Sequence, residues 1–207
     1  MKYLFIDTCT NNLIVSLIID DKIVSYYNKE VINGMSNYLL EEIKNQLKAN
    51  NLKASQIDAI FVSNGPGSFT GIRVGLTVAK VYAWGLNIKV IPVSSLEVLA
   101  SSNTNGINAS LIDARRGYVY SGIYDKDLNV IVKDRYILYS KDDYKNYNVI
   151  SYDIFDNSIK PNIDILKVIN KHKDDIGINP HLLNPNYLKL TEAEENNGKR
   201  DKWYKNM

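Results

Sequence analysis

The chain reads as an α/β fold of two lobes, each a mixed sheet flanked by helices. Three observations predict it. The N-terminal half runs strand, strand, strand, helix, strand, helix. A rigid turn, Gly65-Pro66-Gly67-Ser68-Phe69-Thr70-Gly71, joins the fourth strand to the second helix. A polar run of linker composition, Ser101-Ser102-Asn103-Thr104-Asn105-Gly106, precedes a second group of strand-like segments. The 207 residues suffice for one large domain or for two small lobes with proper cores. The linker places the lobes at 1–102 and 103–207, with a frayed tail from about residue 192.

Strand-like apolar runs lie at 3–6, 13–19 and 23–27, divided by the turn signals Thr10-Asn11-Asn12 and Asp20-Asp21. They form a three-stranded meander. A helix follows over 36–49, where Met35, Leu39, Ile43 and Leu47 recur every four residues and Leu40 widens the stripe. The run 58–63 is the fourth strand, and 70–85 the second helix. Beyond the linker, 109–113 and 118–124 suggest a hairpin, 130–138 and 148–152 are strands, and 163–170 is a helix. The β-β-β-α-β-α order is the unit that the actin-like ATPase fold, of the ASKHA or ribonuclease H-like class, repeats in each half.

Three glycines and a proline within seven positions make a backbone that takes positive φ and approaches another group closely. Ser68 or Thr70 is placed to cap the first helical turn, leaving free N–H groups at the loop's mouth. Gly65, Gly67, Ser68, Thr70 and Gly71 are therefore candidate contacts for an anion, a nucleotide or a tightly docked neighbour. A sharp strand-to-helix turn without a ligand is the plain alternative.

In the helix that follows, Ile72, Leu76, Ala79 and Ala83 line one side. Val74, Val78, Val81 and Tyr82 keep the other sides apolar, with few charges beyond Arg73 and Lys80. A helix apolar all round is buried all round. One face packs on the sheet, and the rest needs the second lobe or another protein.

The string GPGSFTG continued by Ile72-Arg73-Val74-Gly75 resembles the GPGSFTG-[IL]-R-[IV]-G segment of the bacterial TsaB (YeaZ) family, and residues 1–8 end in Asp-Thr as that family's first strand does. Ile91-Pro92-Val93-Ser94-Ser95-Leu96, Asp113-Ala114-Arg115-Arg116 with Val119-Tyr120, and Pro185-Asn186-Tyr187-Leu188 follow in family order. The match is dense over 1–120 and thin over 125–180. The resemblance implies a partner subunit, not itself an enzyme, that binds and activates the catalytic paralogue TsaD in making N6-threonylcarbamoyladenosine (t6A) in tRNA. It implies that TsaE, a small P-loop ATPase, binds at the heterodimer and that tRNA is met only within the complex. ATP, Mg²⁺ and metal then belong to the partner subunits. It further implies that the first two helices pack on the equivalent pair of TsaD, or of a second copy in a homodimer, through Tyr38, Glu42, Arg73, Val74, Thr77 and Val81.

The residues themselves speak against independent chemistry. Asp7-Thr8 is followed by Cys9-Thr10-Asn11-Asn12, without the glycines of a phosphate-gripping hairpin, and Asp113-Ala114-Arg115-Arg116-Gly117 has two cations where a glycine pair is expected. Asp7 and Asp113 read as turn caps, and Arg115 and Arg116 as anion or interface contacts. An independent actin-like, nucleotide-binding phosphotransferase is the second reading. A metallopeptidase is the third: His172 and His181, with Gly177 and Pro180 between them, make no helical i, i+4 metal pair. Met35-Ser36-Asn37 stands where TsaB relatives often show His-Ser-Glu. The single cysteine, Cys9, excludes an internal disulfide and reads as a buried filler.

Hydrophobic content of 45% and charged content of 23% are ordinary for a globular protein. A net charge of +2 makes the whole chain a poor match for a polyanion, so strong binding of tRNA by this chain alone is not expected. The basic segment 199–205 reads as a solvated terminus, the alternative being RNA contact with Trp203 or Tyr204 stacking on bases. No signal peptide or membrane-spanning run is visible, and a cytoplasmic location is expected.

Overall fold

The computed structural model describes residues 1–102 and 104–189. The first half runs β1 (Lys2–Asp7), β2 (Asn12–Ile19), β3 (Lys22–Glu30), α1 (Met35–Ala49), β4 (Ala59–Ser63), α2 (Phe69–Leu86), β5 (Lys89–Val93) and α3 (Ser95–Ala100). Its five strands lie in the order β3-β2-β1-β4-β5, with the meander antiparallel and β4 and β5 parallel to β1. The second half holds β6 (Asn108–Asp113), β7 (Tyr118–Tyr124), β8 (Val130–Leu138) and β9 (Asn148–Ile150), then α4 (Ile165–His172). Their order is β8-β7-β6-β9, with β9 parallel to β6. Two lobes of mixed sheet flanked by helices result, the actin-like arrangement predicted from the element order.

Burial explains why β1 and β4 read as continuous apolar runs rather than alternating ones. Both faces of the central strands are covered. Leu4, Ile6, Ile60 and Val62 pack under α1 and α2, against Leu39, Ile43, Ile72 and Leu76. Tyr3, Phe5 and Phe61 point the other way, into a core shared with Leu96 of α3, Ile112 of β6 and Ile165 of α4. The two sheets are therefore joined through apolar packing. Each such fully buried Leu, Ile or Phe contributes about 1.5–3 kcal/mol.

The structure adds two elements that the periodicity did not mark. Strand β5 contains Pro92 yet pairs in parallel with β4, because it lies at the sheet edge and Pro92 has no outer neighbour within that sheet to donate to. Helix α3 is too short to show a period, and every residue from Ser95 to Ala100 is buried. Ser94 caps it by accepting from the backbone N–H of Leu96 and Glu97 at 3.1 and 3.4 Å. Helix α4 starts and ends two residues later than its pattern suggests, because Asp164 accepts from Lys167 N at 3.1 Å and sets its N-terminus.

Ser101 and Ser102, linker-like in composition, are buried. Their hydroxyls accept from Asp164 N and Asn162 N, each at 3.1 Å. After α4 the chain returns to the first lobe as an extended strap. Ile178 N donates to Val90 O at 2.8 Å along the β5 edge, Leu183 is fully buried beside the helical layer, and Asn186 N donates to Asn64 O at 2.7 Å. The tail from about 192, with Trp203 and Tyr204, lies outside the described residues. Among the described residues no helix is long and apolar enough to cross a membrane.

Candidate functional site

The glycine loop is pressed against the turn between β1 and β2, and that contact explains its composition. A Cβ added to Gly67, whose φ is 151°, would stand 2.1 Å from the carbonyl oxygen of Cys9. One on Gly71 would stand 2.0 Å from the carbonyl oxygen of Thr8, and one on Gly75 2.4 Å from its Oγ1. No side chain fits there. The same approach makes hydrogen bonds: Ser68 N donates to Cys9 O at 2.7 Å, and Thr8 Oγ1 donates to Gly71 O at 2.7 Å. Ser68 Oγ accepts from Gly71 N at 3.2 Å and caps α2. The docked neighbour of this loop is thus the chain's own first turn.

Helix α3 and the strap close the loop from behind. Gly65 O accepts from Ser95 N at 3.0 Å, and the Ser95 hydroxyl donates to Pro66 O. Gly65 itself faces the strap, since a Cβ on it would lie 2.9 Å from Asn186 O. Ser68 and Thr70 remain exposed at the mouth. They line a cavity of about 540 Å³ between the lobes, shared with Phe69, Asp113, Arg115, Tyr120, Asp153 and Lys189.

Asp7 and Asp113 hold equivalent turns. Asp7 Oδ1 accepts from Cys9 N at 2.7 Å, and Asp113 Oδ1 accepts from Arg115 N at 2.8 Å, each an i to i+2 side-chain turn. Burial pushes the Asp7 carboxyl above its usual range, against the hydrogen bond from Cys9 N. Burial also raises the Cys9 thiol well above its ordinary value, which removes it as a nucleophile. Arg115, Arg116 and Gly117 follow one another in the left-handed region, at φ 66°, 56° and 78°. That backbone turns the chain sharply from β6 into β7. Arg115 lines the inter-lobe cavity.

The helical face is a separate surface. Thr70, Val74, Thr77 and Val81 recur on the side of α2 turned away from the sheet, and α1 packs beside it. Val81 is 60% exposed and Tyr38 of α1 50% exposed. Thr70, Thr77 and Val81 are exposed, whereas Val74 is half-buried against the first-lobe core. Glu42 is half-buried and accepts from Gln46 Nε2 at 3.0 Å, inside the helix. Arg73 borders this uncharged strip, one helical turn from Thr70 and Thr77: its guanidinium sits 3.8 Å over the Phe69 ring, and its Nε donates to Tyr187 Oη at 2.9 Å. Val74, Thr77 and Val81 thus share one side of α2, Tyr38 is exposed on α1, and Arg73 meets Tyr187 of the strap. The roles of Phe69 and Tyr187 were not read from the sequence, where nothing links residues this far apart. His172 bridges Glu97 and Asp175, whereas His181 packs edge-on to Trp84.

The tRNA threonylcarbamoyladenosine biosynthesis protein TsaB of Bacillus subtilis (strain 168) is 30% identical to this chain over 223 aligned residues, covering 94% of this chain and 96% of that protein. The chain belongs to the TsaB family. Its TsaB relative in Escherichia coli (strain K12) is 33% identical across 63% of this chain and 58% of that protein. The family model described as TsaD, tRNA N6-adenosine threonylcarbamoyltransferase, matches residues 30–150 of this TsaB-family chain, which include α1, α2 and the glycine loop. The solved structure titled YeaZ from Pseudomonas aeruginosa superposes with a TM-score of 0.75 at 22% identity, over 90% of this chain and 99% of that one. That likeness shows the fold.

Proposed function

We propose that this chain is the non-catalytic partner subunit of a t6A-forming transferase, binding TsaD and favouring its active state. Membership of the TsaB family supports the pathway. The observation that carries the partner role is the uncharged strip of Thr70, Val74, Thr77 and Val81, exposed except at half-buried Val74, with Tyr38 exposed on the adjacent helix α1. Small uncharged side chains on an outward helical face let a second helix approach closely. Leaving Val81 and Tyr38 in water forfeits apolar burial that a partner would supply.

The glycine loop has a supporting part in this reading. It fixes the first turn of α2 to β1 through Thr8 and Cys9, so the strip is presented by a rigid helix. Binding activates a partner only when it prefers that partner's active conformation, and a rigid platform discriminates between conformations better than a mobile one. TsaE, ATP, Mg²⁺ and tRNA would enter through the assembled complex.

The test is t6A formation on tRNA by purified TsaD and TsaE, supplied with donor and ATP, with and without this chain or its Val74→Glu variant. Strict dependence on the wild-type chain, lost with the folded variant, is the expected outcome. Full activity without the chain would overturn the reading.

A further inference from the structure

The mouth of the inter-lobe cavity carries an aromatic and cationic ledge that the platform role leaves unused. The Arg73 guanidinium, the Phe69 ring and the Tyr187 ring form a three-cornered cluster, with Arg73 3.8 Å over Phe69 and 6.0 Å from the Tyr187 ring, and the two ring centroids 4.9 Å apart. Farther along the strap, the Lys189 ammonium sits 5.5 Å over the Tyr136 ring. Tyr136 in turn stacks on Tyr118 at 4.8 Å and leans on Tyr120 at 5.7 Å. Phe69, Tyr120, Arg115 and Lys189 all line the one cavity of about 540 Å³. Rings from α2, β7, β8 and the strap therefore meet across both lobes.

Arg73 and Lys189 rest on ring faces, and Phe69 and Tyr187 stay open to solvent. Planar groups interleaved with cations suit one class of ligand above others. Every nucleobase has a face that stacks on an aromatic ring or a guanidinium, and each intervening phosphate pairs with a cation. A peptide partner would be better served by the uncharged strip on α2. Asp113 and Asp153 also line the cavity, and each accepts from a backbone N–H, Arg115 N and Asp113 N respectively, at 2.8 Å. These carboxylates offset part of the positive charge, so the ledge is no general anion trap and stacking decides what stays.

We propose that this ledge binds single-stranded RNA, with bases stacked on the exposed parts of the Phe69 and Tyr187 rings beside Arg73 and phosphates held by Arg115 and Lys189. The site adjoins the proposed TsaD-binding strip at Thr70, which lines the cavity, but it is read on the isolated chain, so it does not depend on the platform role. With a net charge of only +2, its affinity is modest and depends on salt.

The experiment is fluorescence anisotropy of a labelled oligouridylate of about ten nucleotides, titrated with the full chain at about 50 and about 200 mM KCl. The wild type should bind at the lower salt and weaken at the higher. Tyr187→Ala should loosen binding about 5- to 100-fold, Lys189→Glu should loosen it and flatten the salt dependence, and Trp84→Ala should leave it unchanged. Duplex RNA of the same length should compete poorly, because its bases are already stacked. No binding by the wild type at about 100 µM protein would overturn the proposal, as would unchanged binding by folded Lys189→Glu or equal competition by the duplex. Thermal melts establish folding, and Lys189→Glu decides the matter if Tyr187→Ala misfolds. Loss of RNA binding with TsaD activation intact, or the reverse, separates this site from the platform role.

Discussion

Gly71 and Thr8 hold each other from both sides: the Thr8 hydroxyl donates to Gly71 O at 2.7 Å, while the Thr8 carbonyl oxygen lies 2.0 Å from where a Gly71 Cβ would be. The hydrogen bond and the close approach are one contact. Gly71→Ala forces the first turn of α2 away from β1, at a cost of about 2–4 kcal/mol. Gly85 of the same helix has nothing within 4 Å of its Cβ position, so Gly85→Ala should stabilise by about 0.5–1 kcal/mol. Urea denaturation of the two variants checks the pair, and equal midpoints would refute the packing account.

The outward strip on α2 makes a different forecast. Val81 is 60% exposed, so Val81→Arg should change the stability of the free chain by no more than about 0.5 kcal/mol. Capture of TsaD by that variant should nevertheless fail. A thermal melt and a pull-down on the same preparation suffice, and retained capture would move the interface elsewhere.

His172 supplies a pH dependence. Its Nε2 lies 3.0 Å from Glu97 Oε2 and its Nδ1 2.9 Å from Asp175 Oδ2, and only the protonated ring donates to both carboxylates. The hydrogen bond with Glu97 raises its pKa most, burial opposes, and Asp175 adds to the rise. Stability from a raised group is full below the unfolded value, about 6.5, and is lost as pH rises through the folded one. Burial raises the Glu97 carboxyl, but hydrogen bonds from His172 and Lys171 outweigh it and leave it lowered. Its contribution is present above about pH 4.3 and is lost as pH falls through the depressed value. The melting temperature should therefore be highest between about pH 5 and 6.5, and His172→Gln should remove the decline above that window. Parallel curves for variant and wild type would exclude the pairing as its cause.

Leu183 anchors the strap, and Leu183→Ala should cost about 2–4 kcal/mol. Hydrogen exchange at the Asn186 amide, which donates to Asn64 O, should speed up more than exchange in β1. If both accelerate equally, the strap unfolds with the whole molecule rather than locally.

The apolar runs of β1 and β4 and the four-residue recurrence in α1 are local signals, and each appears in the structure where its period placed it. Strand β5 was hidden because Pro92 contradicts a central strand and only its edge position permits it. Helix α3, six residues long and buried on every side, has no polar face to create a period. The glycines announced a close approach, but nothing in their spacing names Thr8 and Cys9 as the neighbours. Pairings such as Glu97 with His172, or Arg73 with Tyr187, join residues whose proximity is made by the fold alone.

The strap also dictates an order of assembly. Val90 and Asn64 of the first lobe wait for Ile178 and Asn186, which leave the ribosome far later. At about 5–20 residues per second, the loop at Gly65 is held from behind by Ser95 alone, without the strap, for several seconds of synthesis. The first lobe is thus completed by nearly the last described residues translated, and a nascent chain stalled before Leu183 would hold its glycine loop without the strap against Gly65.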